Sequence, residues 1–238
     1  MISSLFNTIF YQPLFNGLIF LYNTVPGHDM GISIIILTAA IRFILWPLTS
    51  KGINNQKILV KIQPQIEEIK KKFKTNKEEQ AKALMALYSE NKINPLAGLL
   101  PLIIQIPIII ALWQVFLNSL NLNLNSLYSF IPAPDKIQPV FLGLVDLSRG
   151  SAVLAILSGA LQYFQTKMIM PATTVKTAGA PDFSQIMAKQ MLYLGPILSI
   201  VIFWSLPAAL PLYWVATTLL TILQQYLNKN DRGKINTN

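Results

Sequence analysis

Five stretches of about 20 largely apolar residues dominate this chain, and that is the length an α-helix needs to cross a hydrocarbon core roughly 30 Å thick. They are Gly31–Thr49, Leu96–Leu117, Ser151–Met170, Met191–Leu206 and Ala208–Tyr226. Hydrophobic residues make up 53% of the 238 and charged residues only 12%, a balance too apolar for a soluble domain. The expected fold class is therefore an all-α membrane protein with a core of five transmembrane helices. A further apolar run, Ile2–Tyr22, is interrupted by Asn7, Gln12, Pro13 and Asn16, and reads as an N-terminal helix lying in the membrane interface.

Charge sets the orientation. With five spans and the N-terminus outside, Lys51 to Lys92, Lys167 to Lys189 and the tail from Lys229 fall on one side and carry 16 Lys or Arg. Only Lys136 and Arg149 fall on the other, so the basic side is cytoplasmic. The implied division is an external N-terminal segment (1–30), a membrane core (31–228) that includes a cytoplasmic hairpin (50–95), and a short cytoplasmic tail (229–238). The first 41 residues hold no Lys or Arg, so the basic start of a secretory signal is not expected.

The cytoplasmic segment has a helical pattern. Leu59, Ile62, Ile66, Ile69 and Phe73 recur at spacings of three and four, one stripe of a helix. Thr75 with Glu78 has the spacing of a capping box, and Ala81, Leu84 and Tyr88 continue a second stripe. Two amphipathic helices joined near Thr75 should pair as an antiparallel hairpin, with Pro64 kinking or restarting the first. Lys70, Lys71, Lys72, Lys74 and Lys77 crowd its tip. Such charges serve a solvated connector equally well as a docking element for anionic head groups or RNA.

Arg42 stands inside the first apolar stretch. A charge at a helix centre costs roughly 2.5 to 3.5 kcal/mol on insertion scales, so it ordinarily marks a water-filled path or a polar substrate. Thr38, four residues earlier, shares its helical face. Gln105, Gln162, Gln165, Thr217, Thr221 and Gln224 add neutral polar groups in the other stretches. Such groups also hold membrane helices together, and Arg42, about six residues from the cytoplasmic end or roughly 9 Å, could extend its side chain to the head groups. No Asp or Glu lies within the five stretches, which argues against a proton- or ion-coupled pump. A permanent cation among neutral neighbours suits transient contact with acidic or polar peptide groups. Pro95 at the edge of the second stretch, Pro101 and Pro107 within it, Pro196 in the fourth and Pro211 in the fifth free backbone groups that need water or a packed neighbour.

Enzyme signatures are missing. The sequence has no phosphate-cradling glycine loop, no nucleophile elbow and no metal-binding His pair. It has one histidine and no cysteine, so neither a disulfide nor a thiolate metal site can form. No cofactor or metal is expected, and His28 beside Asp29 reads as a solvated loop residue.

Four stretches, "TAAIRFILWPLT" around Arg42, "MALYSENKINPLAGLLPLIIQIPI" from Met85, "LQYFQTKM" from Leu161 and "LPAALPLYWVATTLLTILQQYL" from Leu206, resemble the YidC family of membrane protein insertases in order and spacing. The resemblance covers nearly the whole chain. It implies a five-helix insertase core of the bacterial plasma membrane, enclosing a hydrophilic groove open to cytoplasm and lipid and closed outside. Arg42 falls on the family's intramembrane arginine, Thr38 on the polar position one turn earlier and Gln105 on the glutamine of "IQIP". Tyr213 and Trp214 together match the aromatic that contacts substrate, and the choice between them stays open. Gln162, Gln165, Thr217 and Thr221 complete the implied groove. Implied partners are nascent membrane proteins, the ribosome through weak contact, the secretion channel and the phospholipid bilayer. The expected form is a short member without the large external domain. An assembly chaperone of the secretion channel is the alternative reading. A small-solute or anion transporter is disfavoured by the odd span count and the absence of an internal repeat.

Overall fold

The computed structural model describes residues 2–94, 100–120, 124–169 and 183–235. Among these the protein is helical apart from one two-stranded ribbon. The chain starts with α1 (Ile2–Phe6), a π-turn over Asn7–Tyr11 and α2 (Gln12–Thr24), continuous in helical backbone geometry through Phe6, Tyr11 and Gln12. A tight turn with Gly27 at φ +77° leads into α3 (Met30–Ile44). Asp29 caps α3, its Oδ1 accepting from the Ile32 N–H at 2.9 Å. Then follow α4 (Trp46–Lys72), α5 (Lys77–Glu90), α6 (Leu100–Leu120), the ribbon β1 (Val140–Phe141) and β2 (Val145–Asp146), α7 (Ala152–Ile169), α8 (Phe183–Trp204) and α9 (Ala209–Ile235). Pro95, Leu96 and Met170, named at the ends of expected spans, lie outside the described residues.

The first apolar stretch does not run to Thr49 as one helix. It breaks at Leu45, and α4 leaves α3 at 71°. The break falls just before Pro47, whose ring is best tolerated in the first turn of a helix, where a missing N–H leaves no bond unmade. From there α4 runs through Pro64 without restarting, because that ring sits on an exposed face. The hairpin forms as the stripes require: Ile62, Ile66, Leu87 and Ile93 are buried between α4 and α5, flanked by Ile58, Leu59, Ile69, Leu84 and Tyr88. Its cap is one residue later than the Thr75–Glu78 spacing suggests, since Asn76 accepts from the Glu79 N–H at 3.2 Å.

Taken alone, no single helix among the described residues is long and apolar enough to cross a membrane. The bent pair α3 and α4 meets that measure together, and Ile103–Ser119 and Leu192–Trp204 are shorter apolar helices. Polar and apolar side chains are divided between the inside and the outside of the bundle. On α9 the polar residues Thr217, Thr218, Thr221, Gln224 and Gln225 are buried while Leu219, Leu223 and Leu227 are exposed. Ile197, Val201 and Ile202 of α8, Val153 and Ile156 of α7, and Ile103 of α6 likewise face outward. Polar groups of α9 are thus turned inward, and the outward apolar belt of α6, α7 and α8 is the surface a hydrocarbon solvent selects.

At the opposite end from the hairpin, the segment from Leu124 to Gly150 is sewn over the bundle. Asn16 of α2 donates to Ser126 O at 2.8 Å and accepts from Tyr128 N at 2.6 Å. The Tyr22 hydroxyl accepts from Gln138 N at 2.9 Å, Asn23 donates to Pro132 O at 2.7 Å, and Asp29 Oδ2 accepts from Leu142 N at 2.6 Å. Phe141 presses on Gly31, where any Cβ would fall 2.2 Å from its ring. On the far edge Ala208 N bonds Arg149 O at 2.8 Å. Beneath this cover Phe15, Leu18, Ile19, Met30, Val115 and Leu147 form the fully buried core.

Removing the Asn16 amide leaves a buried carbonyl and N–H unpaired, at about 1–3 kcal/mol by mutational experience. Asn16→Ala is expected to lower the unfolding temperature in detergent and to speed amide exchange across Ser126–Tyr128, while the α4–α5 hairpin keeps its protection. Unchanged exchange in that segment would mean the clamp carries no weight.

Candidate functional site

The site is organised along α9, where successive turns meet different partners. Nearest the Leu124–Gly150 cover, the Tyr213 hydroxyl accepts from Gln105 Nε2 of α6 at 2.7 Å. One turn on, the Thr217 carbonyl accepts from Arg42 Nη2 of α3 at 3.4 Å, and it also takes the Thr221 hydroxyl at 2.8 Å. No carboxylate pairs with this arginine among the described residues. Arg42 is half-buried, with the Thr217 carbonyl as its hydrogen-bond acceptor and the Tyr213 hydroxyl nearby. Thr38, on the same face of α3, is fully buried and its hydroxyl bonds Ile34 O at 2.6 Å.

A second polar cluster lies two turns further, where α4 begins. Gln224 Nε2 donates to Trp46 O at 3.0 Å and to Ser50 Oγ at 2.8 Å, and the Thr49 hydroxyl donates to Gln224 Oε1 at 3.1 Å. Asn228 adds a 3.3 Å bond to Ser50 Oγ. These bonds fasten the first turn of α4 to α9 just past the 71° bend, and so fix the direction in which the hairpin leaves the bundle. Gln224 stood in the sequence as one more neutral polar group; its role needed the bend, which brings Thr49 and Ser50 round to face it.

The expected groove residues fall into two groups. Arg42, Thr38, Gln105, Tyr213, Thr217 and Thr221 come together between α3, α6 and α9. Gln162 does not join them: its Oε1 accepts from Ser199 Oγ of α8, and its amide packs against Gly195. Its surroundings are those of a helix-packing group. Gln165 sits half-buried one turn below on α7. The adjacent aromatics point apart. Tyr213 belongs to the main core with Ile34 and Leu112, whereas Trp214 stacks near Phe203, with ring centroids 5.5 Å apart, beside Trp113 and Leu210. Tyr213 thus has its hydroxyl engaged, and the Trp214 indole N–H has no partner among the described residues. At the other end of the molecule Lys70, Lys71, Lys72, Lys74, Thr75 and Lys77 are all exposed at the hairpin tip. His28 is exposed in the α2–α3 turn with Nδ1 2.9 Å from Tyr22 O, and among the described residues no cluster of His, Cys, Asp or Glu could hold a metal.

Comparison with known proteins places this geometry in context. A family model described as 60Kd inner membrane protein matches residues 20–235. The membrane protein insertase YidC of Fusobacterium nucleatum is 36% identical over 218 residues, covering 91% of this chain and 95% of the relative. The proteins of the same name from Syntrophus aciditrophicus and Geobacter metallireducens are 36% and 32% identical over 92% of this chain, which spans 36% and 37% of their lengths. A crystal structure titled active YidC insertase with the first transmembrane domain resolved superposes with a TM-score of 0.58 at 28% identity, over 94% of this chain and 49% of that one.

If Gln224 is the fastener, Gln224→Leu should loosen α4 at its root. The expected result is faster amide exchange over Trp46–Ile53 and a wider distance distribution between spin labels on the hairpin tip and on α9, with α7–α8 exchange unchanged. A hairpin held as firmly as before would assign its direction to the bend alone.

Proposed function

We propose that this chain, which belongs to the 60Kd inner membrane protein family, the family of the YidC insertases, moves short polar segments of nascent membrane proteins across the bilayer and releases their apolar segments into lipid. Carrying a peptide through hydrocarbon is costly because each peptide group loses its water partner. A polar, inward-facing surface that reaches partway shortens that dry path. The observation that carries the reading is the half-buried Arg42 without a carboxylate partner, facing the polar stripe of α9 beneath a hydrogen-bonded external cover. An arginine so placed offers its charge to whatever acidic group enters. Thr38, Gln105, Thr217, Thr221 and Trp214 line the route with it, and Gln165 contributes from α7, whereas Gln162 holds α7 to α8. Partition of the apolar segment into lipid drives the step, so no nucleotide is needed.

The lysine-rich hairpin tip is the contact for the ribosome and for anionic head groups, held at a fixed angle by the Gln224 cluster. The secretion channel is a partner for larger clients. The chain sits in the bacterial inner membrane with its N-terminus outside and its hairpin and C-terminus in the cytoplasm, as its charge distribution requires. Residues 31–228 form the working core.

The test is insertion of a single-span client with a short acidic external tail into liposomes holding only the purified protein, scored by protease protection. Arg42→Ala is expected to slow insertion about tenfold, equivalent to ~1.4 kcal/mol of lost attraction, while Arg42→Lys keeps most activity and a neutral-tailed client is little affected. Equal loss on both clients would remove the electrostatic role. No insertion above empty liposomes by the wild type would turn the reading towards an assembly chaperone of the secretion channel.

Replacing Lys70, Lys71, Lys72, Lys74 and Lys77 with Gln is expected to abolish most salt-sensitive binding to anionic vesicles and ribosomes. The folded membrane core should persist, as judged by its unfolding temperature. Binding that survives the replacement would relocate the contact away from the hairpin tip.

A further inference from the structure

Gln225 is 3% exposed, and neither its Nε2 nor its Oε1 has a hydrogen-bond partner among the described residues. Its neighbour Gln224 is equally buried and fully engaged, so the environment near this turn of α9 is able to satisfy an amide. A buried, unpaired amide weakens a fold, and in a native protein it calls for a ligand that is sometimes present.

Its position says which ligand. Trp214, Thr217, Thr221 and Gln225 follow one another on α9 at spacings of three, four and four, a single helical face. The Trp214 indole N–H at the other end of that face is unpaired as well. One turn before Gln225, Ile222 together with Leu219 forms one wall of a cleft of roughly 610 Å³ whose other wall is Leu161, Phe164, Lys167 and Met168 of α7. That cleft opens on the neighbouring face of α9; a chain segment lying along the Trp214–Gln225 face itself would meet the unpaired Trp214 N–H, the unpaired Thr217 hydroxyl and then an amide with a free donor and a free acceptor. A peptide group carries the complementary acceptor and donor.

We propose that Gln225 is a hydrogen-bonding station for the client's polypeptide backbone at the cytoplasmic end of the α9 face, giving the uncharged part of a polar segment a partner independent of Arg42. The proposal rests on the insertase reading above. Because it recognises peptide groups, it serves neutral and acidic tails alike, whereas Arg42 discriminates between them.

Gln225→Met keeps the length and unbranched shape of the side chain while removing both polar atoms, and Gln225→Asn keeps the amide. Insertion of a client with a Ser/Asn/Gln tail and of one with an acidic tail is measured in proteoliposomes, alongside the unfolding temperature of each variant in detergent. The expected result for Gln225→Met is an unfolding temperature higher by roughly 2–4 °C, as removal of an unsatisfied buried group predicts. Insertion of both clients should fall about fivefold, as expected for loss of one or two hydrogen bonds, and Gln225→Asn should recover at least half. Gln225→Met inserting both clients within twofold of wild type overturns the proposal and leaves the insertase reading standing. A lower unfolding temperature together with slower insertion also overturns it, since the amide would then serve the fold. A wild type that inserts neither client overturns both readings.

Discussion

An apolar solvent turns the ordinary logic of a fold outward, and most of what is seen here follows from that. Water is not available to satisfy a backbone or side-chain polar group in hydrocarbon, so each such group is paired internally or faces a wet cavity. The outward surfaces of α6, α7 and α8 are Ile, Leu, Val and Phe, while threonines and glutamines of α9 are inside. Most of these polar groups engage carbonyls within their own helix or partners across it: Thr38 with Ile34, Ser158 with Leu154, Thr218 with Trp214, Thr221 with Thr217. Bonds made within one helix satisfy a hydroxyl without pinning it to a neighbour. Interhelical side-chain bonds mark where geometry is fixed, among them Gln105 to Tyr213, Asn118 to Tyr11, Gln162 to Ser199, and the Gln224 cluster.

Helix α9 is the element on which the others are arranged. Tyr213 ties it to α6, the Thr217 carbonyl to α3, Gln224 and Asn228 to α4, and the Pro211 carbonyl, which takes the Ser158 hydroxyl at 3.3 Å, to α7. Small residues then set how closely its companions approach. Gly159 of α7 lies against Ile200 and the Pro196 carbonyl of α8, so close that a methyl group in its place would overlap both. The α7–α8 pair is thereby a rigid unit beside α9, and the cleft between α7 and α9 opens at the end where side chains such as Phe164 and Met168 replace the close-fitting glycine.

The sequence was most readable where periodicity had a solvent on one side. The hairpin stripe from Leu59 to Ile69 pairs with Leu84 and Tyr88 as its spacing requires, because water faces the lysines and glutamates opposite. Phe73 and Ala81 drop out of that seam, since the turn at Phe73–Asn76 ends the pairing. The polar face of Arg42 and Thr38 was legible for the same reason of period, and Thr217, Thr221, Gln105 and Tyr213 gather with them. What escaped was set by contacts distant in sequence. Nothing local to Leu45 distinguishes a helix that ends there from one that runs to Thr49 except Pro47, which is compatible with either a kink or a fresh start. Asn16 looked like an interruption of an apolar helix, but its side chain is the clamp for a loop more than a hundred residues away. Gln162 and Gln105 are alike in sequence, each a single glutamine in an apolar helix, and only the packing of α7 on α8 separates a structural partner for Ser199 from a neighbour of Tyr213.

The position of the cover and that of the charge, taken together, constrain how the proposed transfer ends. The segment from Leu124 to Gly150 is bonded to α2, to the start of α3 and to the α8–α9 turn, so an outgoing polar tail cannot leave straight upward without breaking several hydrogen bonds at once. Arg42 sits on the last turn of α3, next to the bend and far from that cover, so a tail drawn to it is halted partway. In the proposed transfer the remaining distance is crossed while the apolar part of the client exchanges water for lipid, each methylene removed from water contributing about 0.8 kcal/mol. On that scale a few methylenes outweigh the attraction of one loosely held arginine. A tighter grip, such as an Arg42 locked against a resident carboxylate or a deep buried ion pair with the client, would raise the energy of release by as much as it lowered that of capture. A half-buried arginine with only a 3.4 Å carbonyl contact would meet both demands of the proposed transfer, through the weakness of its interaction as much as through its charge.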